Sequence, residues 1–354
     1  MPEVTPSDSS PVPNRKPLKR GRFRRWAVRI LAAVFLLAAA GELFCRFYLG
    51  MGDPPLMMAD PQMEYLFKPS RTYHRFGHRI SYNAYSMRCD DFPPHKARPD
   101  ELRVMVIGDS VVNGGARVDQ ADLVTSLLQK QLAQDLNRPV VVGNISAGSW
   151  GPPNELAYIK KFGLFDADVV VLVLNSDDYH DLPTFVPVVG VNPNFPDRPP
   201  ISALQEAVTR GVHDYLPSLY PASPSDAPEP PATPEVVAQC LDAEREIFRV
   251  ARAGGAAVIL MQYQAADEMG DAKEPGYAEI KAVGQECGVP IIETGPAFAA
   301  AQASGTKVFR DPIHPNAAGH KIMADLLLKP IEDAVRSRRT AASTPATIPA
   351  GGLR

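Results

Sequence analysis

Three residues, far apart in the chain, have the types needed to turn an ordinary hydroxyl into a nucleophile. Ser110 follows Gly108 and Asp109 in VMVIGDSVVNGG, residues 104–115, where an apolar run stops abruptly. A serine hydroxyl is a weak nucleophile until a base takes its proton. Of the seven histidines, His314 stands out because of VFRDPIHPNAAGHK, residues 308–321. Asp311 lies three residues before it, in a loop stiffened by Pro312 and Pro315, and Asn316 is placed to cap the helix that follows. A carboxylate so placed can bond the far ring nitrogen of the histidine, fixing its tautomer and stabilising the imidazolium.

The elements around them must bring these residues together. Val104–Ile107 is a short apolar run ended by Gly108, as in a buried strand, and Leu123, Val124, Leu127, Leu128, Leu132 and Leu136 then recur at helical spacing within 119–136. PVVVGN (139–144), Asp168–Leu174, AAVILMQ (256–262) and VPIIET (289–294) read as four more strands. The run 168–174 is too apolar to face water on either side. Helices are predicted over Asn154–Phe162, Pro234–Ala253, Gly276–Cys287 and Asn316 to about Arg336. Alternating strands and helices imply a parallel five-stranded sheet covered on both faces. Ser110 ends its first strand, and the Asp311–His314 loop follows its last, so both belong to the carboxyl edge of the sheet, where backbone N–H groups can stabilise negative charge.

These blocks resemble the SGNH/GDSL-type hydrolases. GDS at 108–110 matches the first family block, NISAGSWG at 144–151 the second, and DPIH at 311–314 the last. The resemblance covers roughly Leu102 to Val335, in the family's order. It implies a flavodoxin-like three-layer α/β/α fold, Ser110 as nucleophile, His314 as base and Asp311 as its orienter. It also implies an oxyanion hole made by the Ser110 N–H, a second-block glycine and a third-block asparagine. Gly148 is the expected glycine, with Gly151 as the alternative. The third block departs from the family's Gly-x-Asn-Asp: here it is NSDD, 175–178, which puts Asp177 in the asparagine column and Asn175 in that of the glycine. An ionised Asp177 offers no donor. Asn175 does, and is the expected third member; a protonated Asp177 is the other way to supply one.

The 354-residue chain has room for further segments. Its net charge is −3, but residues 1–29 carry eight basic and two acidic residues, so the remainder is acidic and no nucleic-acid face is indicated. Residues 1–25 read as a disordered, basic cytoplasmic tail. ILAAVFLLAAAG, 30–41, suits either a signal-peptide core cleaved after Ala40 or, extended to 26–49, a retained transmembrane signal-anchor. The anchor is preferred: Arg29 can snorkel, Glu42 and Arg46 can pair across one helical turn, and Trp26 and Tyr48 bracket the span. The positive-inside rule then exports the rest, in a bacterium to the periplasm. Residues 50–100 form an irregular strap, with one or two strands in 78–92. A proline-rich insertion at 183–233, containing a short helix over Ile201–Leu216, is read as a partial lid. Residues 101–336 form the hydrolase domain, and 337–354 read as a disordered tail. Cys45, Cys89, Cys240 and Cys287 show no CxxC spacing; a disulfide and buried free thiols both stay open. DDYHD, 177–181, reads as a polar loop and not as a metal site, and His320 as structural.

The expected protein is an exported, membrane-anchored serine esterase that removes small, acetyl-like acyl groups from a small molecule or a cell-envelope or exported glycan. Its acyl-enzyme chemistry needs no cofactor and no metal. Two alternatives share the fold. An O-acyltransferase would use a sugar hydroxyl in place of water. Family members of that kind carry Asp-x-His ahead of the serine, whereas here Asp-x-x-His follows it. A catalytically weak glycan-binding or assembly protein would account for the altered third block. The oligomeric state is not indicated.

Overall fold

The computed structural model describes residues 20–215, 231–269 and 273–343. Helix α1, Arg20–Leu43, contains the apolar run and continues as one π-helical turn through Phe44–Tyr48. Its side chains are almost wholly exposed, and it is long and apolar enough to cross a membrane, as a signal sequence would also be. The basic residues 20–25, expected to be disordered, belong to this helix. Residues 1–19 lie outside the described residues.

The strap is more regular than its sequence indicated. It forms two antiparallel hairpins, β1 (Met57–Asp60) with β2 (Glu64–Phe67), and β3 (Arg71–Arg75) with β4 (His78–Tyr82). Only β4 lies in the window where strands were expected. The second hairpin closes over Phe76 and Gly77, both left-handed, with φ of 52° and 80°. Glu64 and Ser70 also have positive φ, although neither is Gly or Asn; Pro61, Pro69 and Gly77 are the turn residues that the sequence offers here.

Five parallel strands then build the main sheet: β5 (Leu102–Gly108), β6 (Val140–Ser146), β7 (Val169–Leu174), β8 (Ala257–Gln262) and β9 (Ile291–Glu293). Their spatial order is β6-β5-β7-β8-β9. This is a doubly wound sheet whose order reverses beside β5, the strand that carries Ser110 at its end. Between and after the strands lie α2 (Ser110–Asn113), α3 (Val124–Leu136), α4 (Pro152–Phe162), α5 (Ala203–Tyr215), α6 (Pro234–Ala253), α7 (Pro275–Glu286), α8 (Gly295–Ala303) and α9 (Ala317–Ser343). One core packs α3, α8 and α9 on Val104, Val106, Val171 and Ile259. The other packs α4, α6, α7 and the strap on Met105, Ile107, Val170 and Leu260. Alternate residues of β5 and β7 thus feed opposite layers, as a sheet buried on both faces requires.

Helix α9 runs past Arg336 to Ser343, so the start of the expected disordered tail is helical; residues 344–354 lie outside the described residues. The insertion contains α5 as expected, and residues 216–230 lie outside the described residues. Its described part packs on other elements. It contacts the strap and α1: Thr184 and Phe185 N–H donate to Glu64 at 2.6 and 2.8 Å, Met57 N–H donates to Pro196 at 2.8 Å, and Leu204 N–H donates to Glu42 at 2.8 Å. All four cysteines are free thiols.

Candidate active site

Gly108 ends β5 in a crowded corner, where a side chain would meet Val112 and the Val173 carbonyl. Asp109 caps the single turn of α2, its carboxylate accepting the Val111 N–H at 2.9 Å. Ser110, the first residue of that turn, is thereby placed at the sheet edge. The turn is held from below. Asn144 donates to the Val112 carbonyl at 3.1 Å, Asn113 donates to the Ser146 carbonyl at 3.0 Å, and buried Arg88 reaches the carbonyls of Asn113, Gly115 and Val118.

The loop after α8 brings in the other two residues. His314 Nε2 lies 2.9 Å from Ser110 Oγ. Its Nδ1 lies 2.8 and 2.9 Å from the two Asp311 oxygens. Asp311 also accepts the N–H of His314 at 2.8 Å and of Ile313 at 3.2 Å, a compact turn that sets the ring's orientation. The Ala266 N–H donates to the Pro312 carbonyl at 2.8 Å, and the Tyr263 hydroxyl donates to the Ile313 carbonyl.

Charge in the site is graded. Burial pushes the His314 imidazole below its ordinary value of 6.5, and the Arg310 cation adds to this, against the opposing pull of Asp311. Burial pushes Asp311 up, but the His314 N–H and ring more than offset it, and the carboxyl stays below its usual range. Asp311 is therefore ionised and His314 neutral near pH 7, with the Nδ1–H facing Asp311 and Nε2 left to accept the serine proton. Asp109 is buried and pushed up to about 6, desolvation outweighing its bond from Val111.

Of the expected oxyanion residues, Asn175 meets the serine turn through Asp109, whereas the Asp177 side chain is exposed. Asn175 is buried; its Nδ2 donates to Asp109 Oδ2 at 3.1 Å, and its Oδ1 accepts the Asp177 N–H at 2.8 Å. The Gly148 carbonyl accepts the Tyr65 hydroxyl at 2.5 Å, tying this loop to the strap. Gly151, the alternative, caps α4 and presses on the Asp181 carbonyl, and its N–H donates to Asn154 at 3.3 Å. His320 is fully buried, with the Val124 N–H donating to it at 3.4 Å, and burial lowers its pKa to about 3.

Arg310 and Tyr65 went unnoticed in the sequence. Arg310 adjoins Asp311, to which its Nε donates at 3.3 Å, and it donates to the Gly114 carbonyl at 2.7 Å. Its position beside DPIH was the available signal. Tyr65 had none, since it sits in a stretch with no legible period. Among the described residues, no group of three or more His, Cys, Asp or Glu side chains is arranged to hold a metal ion.

Residues 106–322 match the family model described as the GDSL-like Lipase/Acylhydrolase family. A search of curated proteins found no match. Among solved structures, the chain is similar to a two-domain esterase (CEX) active on acetylated mannans, at 12% identity and a TM-score of 0.42, covering 72% of this chain and 53% of that one. It therefore spans about half the length of that protein. It is also similar to the acetyl xylan esterase AlAXEase, at 13% identity and a TM-score of 0.40, covering 65% of this chain and 100% of that one. A third is a variant of Axe2, an acetyl-xylooligosaccharide esterase from Geobacillus Stearmophilus, at 14% identity and a TM-score of 0.42, covering 64% and 93%.

Proposed function

The chain belongs to the GDSL-like lipase/acylhydrolase family, and from that premise we propose that it is a membrane-anchored serine esterase that removes small acyl groups by way of an acyl-enzyme. The observation that carries the reading is the unbroken path Asp311–His314–Ser110, with contacts of 2.8 and 2.9 Å. His314 takes the proton as Ser110 Oγ attacks the ester carbonyl, and Asp311 stabilises the imidazolium that results. The imidazolium then returns the proton to the leaving alcohol. Water, activated by the same histidine, cleaves the acyl-enzyme.

The tetrahedral intermediate carries a negative oxygen that needs donors about 3 Å away. The N–H groups of Ser110 and Gly148 supply two. Asn175 has a second Nδ2 hydrogen beyond the one spent on Asp109, and serves as the third donor. Gly148 suits the role better than Gly151, whose N–H already bonds Asn154.

His314 is only part-buried and Asp311 is exposed, so the catalytic groups stand near the surface. Such a site favours a small acyl group presented on a large, accessible carrier, and we read the substrate as an acylated glycan of the cell envelope or an exported one. Topologically, α1 spans the inner membrane and the domain faces the periplasm.

The test is labelling with a fluorophosphonate, followed by product analysis on an acetylated glycan. Wild type should be labelled and should release acetate to water. Ser110→Ala should lose the label and nearly all hydrolysis. His314→Ala should match it, and the double variant should be little worse than either, because the members act as a unit. An unlabelled wild type would point to a binding protein. Transfer of the acyl group to an added sugar in preference to water would point to a transferase.

A further inference from the structure

Helix α5 is inverted for a helix on the surface of a soluble protein. Its ion pair, Glu206 with Arg210, faces inward. Glu206, 5% exposed, pairs with Arg75, 2% exposed, at 2.7 and 3.3 Å, and accepts the Gly52 N–H at 2.6 Å. Arg210, one turn later, reaches Glu206 at 3.2 Å and donates to Asn194 at 3.1 Å. At the start of the helix, the N–H groups of Ala203 and Leu204 donate to the Glu42 carboxylate at 3.1 and 2.8 Å. The same carboxylate holds Arg46 at 2.7 Å. The polar face thus fastens α5 to the end of α1, to the segment after it and to the β3–β4 hairpin.

The opposite face is apolar. Leu204, Val208 and Val212 recur at the spacing that forms one stripe along a helix, and Ile201 precedes them just ahead of it. Ile201 is 94% and Val208 57% exposed. Polar inside and apolar outside is the reverse of the pattern for a helix that faces water. It is the pattern of a helix lying in a membrane interface. The position of the stripe says what covers it. Leu204 lies against Gly41, the last residue of the apolar run in α1, and the exposed rings of Phe44, Phe47 and Tyr48 follow on directly. The stripe therefore continues the exposed apolar surface of α1 at the level where that run ends.

We propose that α5 lies in the outer interface of the bilayer that α1 spans, with Ile201, Val208 and Val212 set into the headgroup–acyl boundary. Helix α5 is then a docking bracket for phospholipid, and the esterase domain is held in one orientation against the membrane. This rests on reading α1 as a retained anchor, and the test separates the two.

The full chain carries Cys287→Ser, since the other three thiols are buried. A single environment-sensitive fluorophore is attached at Val208→Cys, at Val34→Cys in α1, or at the exposed position Lys329→Cys of α9. Each protein is reconstituted into phosphatidylcholine vesicles with and without shallowly brominated lipid. The label at 208 should lose on the order of half its emission to the bromines, because the apolar face of an interfacial helix sits about 5–10 Å into the boundary. The label at 34 should also be quenched, and that at 329 should not. Quenching at 34 without quenching at 208 overturns the bracket and leaves the anchor standing. Quenching at neither overturns both. Retained ester hydrolysis shows that Val208→Cys is folded, and Ile201→Cys, just ahead of the helix, repeats the measurement should it fail.

Discussion

At the scale of single residues, the site depends on which groups carry charge. A protonated His314 cannot accept the serine proton, so kcat/KM must fall as the pH falls through the free-enzyme pKa of His314. Burial and Arg310 hold that pKa below 6.5, which keeps the base neutral into mildly acidic conditions. The acid limb of the kcat/KM profile should therefore lie below 6.5. Arg310→Met removes a cation near the ring and should move the limb upward; a limb that stays in place would assign the shift to burial alone. Asn175→Ala should lower kcat by roughly 10²–10³, the range for losing one oxyanion donor, with KM little changed. Asp177→Ala should cost less, since it removes no donor. A nearly silent Asn175→Ala, with a faster Asp177→Asn, would move the role to the 177 column.

At the scale of elements, α4 and α6 press two acids into the core. Glu155 and Glu244 are fully buried, and neither carboxyl has a hydrogen-bond partner among the described residues. Burial pushes Glu244 up to about 9 and Glu155 well above the usual range, the latter helped by Asp109 and by Glu244 itself. Both hold protons in the fold that the unfolded chain releases above about 4.5. Their effect is least costly below that pH, and stability falls as the pH rises toward about 9. The slope is at most about 1.4 kcal/mol per pH unit for each group. Glu244→Gln abolishes the titration. Its Tm relative to wild type should rise between about pH 5 and about pH 8. An unchanged difference in calorimetry at the two pH values would rule this out. The signal for Glu244 was present in the sequence, as a charge on the same helical stripe as Cys240, Leu241, Ile247 and Phe248. The main sheet and the triad were legible because long apolar runs and short motifs are local patterns. The hairpins were not, because strands of four or five residues are too short to show a clear period. Helix α8 was missed because GPAFAAAQA has no polar face to give it a period.

At the scale of the whole molecule, the insertion, the strap and the Gly148 loop are joined in series. The insertion grips the strap, and the strap, through Tyr65, grips the loop of Gly148. A retained α1 makes that whole assembly an integral membrane protein. A reporter active only in the periplasm, fused after Arg354, should be active, and the protein should stay with membranes washed in alkali. Release by alkali would mean cleavage after Ala40.

The connection from α1 to the first strand is short. Tyr48 ends the helical segment and Met57 begins β1, and a carboxylate of the anchor side already binds α5 across that gap. Eight residues fully extended reach about 30 Å, and these are not free to extend. An enzyme on a long flexible leash sweeps a deep volume around its attachment point; this one has almost no leash. With α1 retained as an anchor, its hunting ground is a thin shell over the bilayer, where the local concentration of any ester bound to or passing along the membrane is high and that of a distant polymer is effectively zero. Selectivity among chemically identical esters then follows from altitude: those within the shell are turned over, and the same group farther out is left alone.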